Sequence, residues 1–109
     1  MVPTAHPPLT TPLLPEGITR VLVTGGAGFI GGAVVRRLLT GSSATVFNLD
    51  KLGYASDLTS IELTLAELGA AAAGRHQLLR VDLTNAEATA AAVRQADPDL
   101  VFHLAAESH

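Results

Sequence analysis

Four short apolar runs, separated by longer segments with helical spacing, dominate the pattern of the chain from residue 20 onward. A short run of mainly apolar residues is typical of a strand in a parallel sheet whose faces are covered, so the runs predict strands at about 20–24, 44–49, 77–81 and 100–104. The segments between them predict helices from the loop after the first strand to Thr40, over 58–68, and from residue 84 to the residues before Asp97. Strands that alternate with helices imply right-handed crossovers and a parallel sheet. We therefore predict an α/β, Rossmann-type doubly wound fold, of which the chain holds the first half, with strand order 3-2-1-4.

Two local features refine this prediction. Thr84 and Glu87 have the spacing of a capping box, in which each side chain accepts a hydrogen bond from the other residue's backbone, so the third helix is predicted to begin at Thr84. His103 lies beside Phe102 in a predicted buried strand. We expect it to be a hydrogen-bonded core histidine rather than a ligand.

A glycine-rich loop joins the first strand to the first helix. Gly25, Gly28 and Gly31 have the spacing G-x-x-G-x-x-G. In dinucleotide-binding loops the first glycine permits a tight turn, the second lets the backbone approach a pyrophosphate, and the third lets the helix pack closely. The N-terminus of the helix that follows offers unpaired N–H groups and a positive dipole end to phosphates.

Asp50 supplies the second part of this pattern. It ends the second predicted strand, 19 residues after Gly31. That is near the spacing of the carboxylate that binds the adenosine ribose hydroxyls in dinucleotide-binding proteins. Together the loop and the carboxylate predict a dinucleotide site; the alternative is a glycine-rich turn in another kind of α/β protein.

Composition narrows the classes of protein and partner. Five of the six prolines lie in residues 1–19, which we predict to be a disordered leader, and residues 20–109 to be the folded part. The leader lacks the charged start and apolar core of a signal peptide, and no segment approaches the roughly 20 apolar residues that span a bilayer. We therefore expect a cytoplasmic protein without a membrane partner.

Charge and side-chain chemistry exclude further classes. The chain has no cysteine, which excludes disulfides, thiolate metal sites and cysteine nucleophiles. The histidines show no metal-ligand spacing, so no metal site is predicted. A net charge of −3 without a basic cluster argues against nucleic acid as a partner.

Only residues 105–109 follow the fourth predicted strand. Ligands bind beyond the carboxyl ends of the strands in such sheets, so these residues are expected at the binding edge. The nicotinamide half of a dinucleotide site needs further strands, and the fourth strand would be a bare apolar edge. We therefore interpret residues 20–109 as the N-terminal part of an NAD-binding domain, truncated after strand four. The alternative is a self-contained small domain that a partner covers.

Three segments resemble one enzyme family. The run TGGAGFIG at 24–31 resembles the loop of the extended short-chain dehydrogenase/reductases. The runs DKLGYA at 50–55 and HLAAESH at 103–109 are similar to those of the dTDP-glucose 4,6-dehydratases, where the second strand ends in D-K-L-T-Y-A and the fourth in H-L/F-A-A-E-S-H. The resemblance covers essentially residues 20 to 109.

The resemblance implies an NAD site made by the glycine loop and by the ends of the second, third and fourth strands. The implied cofactor-binding residues are Gly25, Gly28, Phe29, Ile30, Gly31, Asp50, Lys51, Leu52, Gly53, Asp82, Leu83, Leu104, Ala105, Ala106, Glu107 and Ser108. Ser108 is also implied to contact a sugar-nucleotide substrate. The alternative for Asp82 is a cap on the turn after the third strand, and for Glu107 a structural hydrogen bond to neighbouring backbone.

The function that the resemblance implies is that of an NAD-dependent lyase. It converts dTDP-glucose to dTDP-4-keto-6-deoxyglucose and water by internal hydride transfer through NAD. The catalytic tyrosine and lysine of the family have no counterpart in residues 1–109, so no catalytic residue is assigned and the chain alone is expected to be inactive. The family also implies a homodimer formed by helices beyond His109. The alternatives are the cofactor half of a UDP-sugar epimerase or of another nucleotide-sugar dehydratase, or a non-catalytic NAD-sensing regulator.

Overall fold

The computed structural model describes residues 12–53 and 57–105. Its strands are β1 (Arg20–Thr24), β2 (Thr45–Asp50), β3 (His76–Arg80) and β4 (Leu100–His103). Its helices are α1 (Phe29–Gly41), α2 (Thr59–Leu68), α3 (Ala70–Ala73) and α4 (Ala86–Ala96). The four strands predicted from apolar runs are therefore confirmed, each with its bounds moved by no more than one residue.

The strands form one parallel sheet in the order β3-β2-β1-β4, which confirms the predicted order. In the register of the sheet Val23 lies between Asn48 on one side and Phe102 on the other. Parallel pairing brings the carboxyl ends of the strands to one edge. The loop after β1, the turn after β2 and the end of β4 therefore meet there.

Two apolar layers cover the two faces of the sheet. On the first face, strand side chains pack against α1 and α2; the buried members are Val21, Val23, Val35, Leu38, Leu39, Ala44, Val46 and Ile61. On the opposite face they pack against α4; the buried members are Leu22, Phe47, Leu49, Leu79, Ala92 and Ala96. The two sets alternate at Val21, Leu22 and Val23 of β1 and at Val46 and Phe47 of β2, which explains why consecutive residues of both strands are apolar.

Glycine and an unexpected cap set two of the helix ends. Gly69 ends α2 with φ 95°, a left-handed conformation that favours glycine, as its place after the apolar pattern predicts. The prediction of a capping box at Thr84 is wrong, because Asn85 caps α4 instead. The side-chain oxygen of Asn85 accepts from the Ala88 N–H at 3.0 Å. The helix begins at Ala86, so Thr84 lies one residue before the cap, and its side chain is turned toward Asp82, to whose carboxylate its hydroxyl donates at 2.8 Å.

The segment before β1 contacts the domain over residues 12–19. Leu14 and Ile18 are partly buried against the first apolar layer. The Asp99 carboxylate accepts from the backbone N–H groups of Thr19 and Arg20, both at 2.9 Å. These hydrogen bonds, that of Thr19 foremost, hold the pKa of Asp99 below its ordinary value. Residues 1–11 of the predicted leader lie outside the described residues.

Within residues 12–53 and 57–105 no helix has the length and apolar character that a membrane crossing requires.

Candidate functional site

The first glycine of the loop turns the chain and lets β4 pass beside it. Gly25 has φ 74°, in the left-handed region that side chains disfavour, and its N–H donates to the Leu49 carbonyl at 2.8 Å. A Cβ added to Gly25 would lie only 2.8 Å from the backbone N and Cα of Ala105. Glycine is therefore required here both by the backbone conformation and by the neighbouring strand end.

The other two glycines of the motif have different surroundings. A Cβ on Gly31 would overlap the Gly25 carbonyl oxygen and lie 2.6 Å from the carbonyl carbon, so the start of α1 rests directly on the loop. A Cβ on Gly28 would meet only the Gly25 carbonyl oxygen, at 3.3 Å, among the atoms that the structure describes. The outer side of Gly28 therefore leaves the backbone open to a ligand.

The N-terminus of α1 presents backbone N–H groups that no carbonyl of the helix accepts, two of them on exposed residues and the third on the buried Gly31. Gly28 is the N-cap and offers no side chain, and the first turn contains no acidic residue. The first intrahelical bond is that of the Gly32 N–H to the Gly28 carbonyl, so the N–H groups of Phe29, Ile30 and Gly31 have no acceptor within the helix. The Phe29 and Ile30 side chains are 94% and 65% exposed. Three successive N–H groups and the positive end of the helix dipole suit an anion.

Asp50 lies against this loop from the end of β2. It is only 8% exposed. Its Oδ2 accepts from the Ala27 N–H at 2.9 Å, and its Oδ1 accepts from the Leu52 N–H at 2.7 Å. The structure thus brings the predicted carboxylate into direct contact with the predicted phosphate loop.

Asn48 also supports the loop, and the sequence analysis did not assign it. Its side chain is fully buried in β2, and a Cβ on Gly26 would overlap its Oδ1. Its Nδ2 lies 3.3 Å from Nε2 of His76, whose pKa burial lowers, so the neutral ring nitrogen accepts this hydrogen bond. Oδ1 has no hydrogen-bond partner among the described residues. The sequence offered one signal that could have identified Asn48, namely a polar residue in the middle of a mainly apolar strand.

Thr24 fixes the end of β4 beside the loop. Its hydroxyl oxygen accepts from the N–H groups of Leu104 at 3.0 Å and Ala105 at 3.2 Å. It lies 2.7 Å from Nδ1 of His103, and because its oxygen already accepts two bonds, its own proton is donated to that ring nitrogen. The predicted hydrogen bond of His103 is confirmed. The prediction that His103 is buried is wrong. Its side chain is exposed, because β4 lies at the edge of the described sheet.

The remaining predicted cofactor residues follow β2, β3 and β4. Lys51 and Gly53 are exposed, and Leu83 packs against the apolar layer of α4. The exposed Asp82 carboxylate accepts from the N–H and hydroxyl of Thr84, which hold its pKa below the ordinary value. This geometry fits the turn-capping alternative and leaves the adenine contact of Asp82 as a prediction. Of the other sequence-assigned positions, Ala106, Glu107 and Ser108 lie outside the described residues.

A parallel sheet of order β3-β2-β1-β4, a glycine loop at the start of α1 and a carboxylate at the end of β2 together form the architecture of the dinucleotide-binding α/β proteins. The profile of the NAD dependent epimerase/dehydratase family matches residues 21–109. The chain belongs to this family.

Named relatives agree with this assignment. The dTDP-glucose 4,6-dehydratase of Salmonella typhimurium is 41% identical over 90 residues, or 83% of this chain and 23% of the relative. The crystal structure of dTDP-glucose 4,6-dehydratase from Bacillus anthracis in complex with NAD aligns over 82% of this chain and 27% of its own, with a TM-score of 0.68 and 26% identity.

A UDP-glucose-4-epimerase structure from Stenotrophomonas maltophila with bound NAD is similar to a comparable extent. It aligns over 84% of this chain and 25% of its own, with a TM-score of 0.66 and 30% identity. The chain spans about a quarter of the length of the curated relatives that it matches.

Proposed function

We propose that this chain binds NAD at the carboxyl edge of its sheet. The observation that carries the proposal is the start of α1, which has no side-chain cap, at the exposed residues Phe29 and Ile30, in a loop whose Ala27 N–H donates to the Asp50 carboxylate. An anionic pyrophosphate matches the helix end, and ribose hydroxyls, which donate hydrogen bonds, match a carboxylate, which accepts them.

The residues along the carboxyl edge of the sheet fit the successive parts of a dinucleotide. The N–H groups of 29–31 would hold the pyrophosphate, because Gly28 places no side chain in front of them. Asp50 would hold the adenosine ribose with Lys51, Leu52 and Gly53 around it, and the turn at Asp82 and Leu83 would flank the adenine. Residues 104–108 would line the path toward the nicotinamide. When bound, NAD would supply a hydride acceptor and donor.

We further propose that the whole protein is a dTDP-glucose 4,6-dehydratase, a lyase that forms the 4-keto-6-deoxy sugar nucleotide. The support is the identity of 41% to the Salmonella typhimurium dehydratase, together with the specific run HLAAESH at 103–109. In this proposal Ser108 contacts the sugar nucleotide as well as the cofactor. The protein would act as a homodimer in the cytoplasm.

A UDP-sugar epimerase is the second candidate. One observation favours it: the Stenotrophomonas maltophila epimerase is 30% identical to this chain, whereas the Bacillus anthracis dehydratase is 26% identical, and the two TM-scores are nearly equal. The shared cofactor half does not separate the two activities, because epimerases and dehydratases differ in what they do to the sugar.

One experiment tests both proposals. The protein, expressed from its complete coding sequence, is titrated with NAD by calorimetry and then incubated separately with dTDP-glucose and UDP-glucose. Loss of one water from dTDP-glucose, detected by mass spectrometry, supports the dehydratase. An isomer of unchanged mass from UDP-glucose supports the epimerase instead, and absence of NAD binding overturns the cofactor proposal.

A further inference from the structure

Ala27, in the middle of the glycine loop, is hydrogen-bonded at both of its backbone polar groups. Its N–H donates to Asp50 Oδ2 at 2.9 Å in a buried position, and its carbonyl accepts from the Asp57 N–H at 2.8 Å. The residue is only 2% exposed. Asp50 is the last residue of β2 and Asp57 lies in the segment that follows it, so the end of β2 and this segment determine where the middle of the loop lies.

The same carboxylate also shapes its own segment. Asp50 Oδ1 accepts from the Leu52 N–H at 2.7 Å, and Leu52 has φ 59°. A leucine in this left-handed region is strained, so the turn after β2 depends on contacts that hold it. Each oxygen of Asp50 therefore receives a backbone donor, one from each of two loops that face the candidate cofactor site.

We propose that Asp50 is a positioning residue for the pyrophosphate loop, in addition to its role as a ribose ligand. This inference rests on the proposed NAD site. Since the carboxylate holds the loop through Ala27, recognition of the ribose and recognition of the pyrophosphate are coupled through one side chain. A substitution of Asp50 then weakens the binding of the phosphates even when the ligand offers no ribose hydroxyl.

Asp50→Asn isolates this coupling, because asparagine has nearly the same shape and only one acceptor oxygen. That oxygen accepts from either the Ala27 or the Leu52 N–H, while the amide NH₂ group turns a donor toward the other. The probe is an NAD analogue whose adenosine ribose lacks both hydroxyl groups. We expect Asp50→Asn to weaken binding of this analogue by about tenfold or more, the scale of one hydrogen bond to a charged group. Equal affinity of wild type and variant for the analogue overturns the proposal, because it leaves Asp50 a ribose ligand only.

Asp99→Asn is the matched control. Asp99 also accepts several hydrogen bonds, from Thr19 and Arg20. It lies just before β4, however, at the end of the sheet where the strands begin, opposite to their carboxyl ends. We expect Asp99→Asn to bind the analogue with wild-type affinity. A similar loss in this variant would mean that general destabilisation explains the result, and the positioning role would be abandoned.

Amide hydrogen exchange on the ligand-free wild type tests the contact without any variant. We expect the Ala27 amide to be protected, and exchange at the rate of an exposed loop amide contradicts the proposal. If wild-type protein fails to bind NAD, the proposed function is overturned. Protection of Ala27 then still shows whether Asp50 positions the loop.

Discussion

Gly31→Ala is expected to impair NAD binding because the first turn of α1 rests on the glycine loop. The added Cβ would overlap the Gly25 carbonyl oxygen, lie 2.6 Å from the carbonyl carbon and lie 3.0 Å from Gly26 Cα. All three are backbone atoms and cannot move aside as a flexible side chain can. Carbon atoms prefer separations of about 3.5–4.0 Å, so the helix start and the loop must move apart by roughly 1 Å.

The size of the effect follows from two opposing terms. Overpacking costs about 1–3 kcal/mol, while replacing glycine by alanine within a helix gains about 1 kcal/mol. The free energy of unfolding is therefore expected to change by only about 0–2 kcal/mol. Binding should change more, because displacing one N–H donor from a phosphate loses about 1.5–3 kcal/mol, or tenfold to hundredfold in affinity.

Gly32→Ala provides the control in the same turn of the helix. Its Cβ would meet the Gly26 carbonyl oxygen at 3.5 Å and the Arg36 side chain at 3.7 Å, both ordinary contacts. This variant should be stabilised by up to about 1 kcal/mol and should bind NAD like wild type. Denaturant unfolding and calorimetric titration measure the two quantities. If Gly31→Ala binds NAD as tightly as Gly32→Ala, the reasoning about the loop is wrong.

Three further predictions concern other contacts. Thr24→Val should lower the free energy of unfolding by about 1–3 kcal/mol and speed hydrogen exchange at Ala105, whose N–H loses the hydroxyl acceptor, whereas the Leu104 N–H keeps the Thr24 carbonyl as an acceptor. Thr24→Ser should retain both hydroxyl contacts, and unchanged exchange at Ala105 in the valine variant would refute this. Because the pKa of Asp99 is lowered in the folded state, the carboxylate stabilises the fold above the unfolded-state pKa of about 3.9, and this contribution is lost as the pH falls through the folded-state pKa. Asp99→Asn should therefore be less stable than wild type at pH 7 and equally stable in acid. A difference in stability that persists in acid would contradict this. NADP should bind more weakly than NAD in competitive titration, because its 2′-phosphate would meet the Asp50 carboxylate, and equal affinities would count against that placement.

The sheet could be predicted because its signals are local. The strands of this sheet are short, mainly apolar runs, and the glycine loop and Asp50 lie at the ends of two of them at the expected spacing. The roles of the single glycines at 25 and 31 also follow from the motif. Each is visible in the structure as a positive φ or as a backbone contact that excludes a Cβ.

The features that sequence reasoning missed depend on which groups compete or meet in space. The Thr84–Glu87 capping box was wrong because the helix is capped one residue later, by Asn85, and begins at Ala86, while the Thr84 side chain is turned toward Asp82. The contact of Asn48 with Gly26 depends on the register of β2 beneath the loop, which spacing along the chain does not specify. The exposure of His103 depends on what covers the edge of the sheet, which its strand-like surroundings do not reveal.

The structure of the protein with NAD bound tests the central claim most directly. We expect pyrophosphate oxygens within about 2.7–3.2 Å of the N–H groups of Phe29 and Ile30, and the adenosine ribose hydroxyls on the carboxylate of Asp50. A complex in which NAD lies away from the start of α1, or in which its ribose does not contact Asp50, would contradict the account.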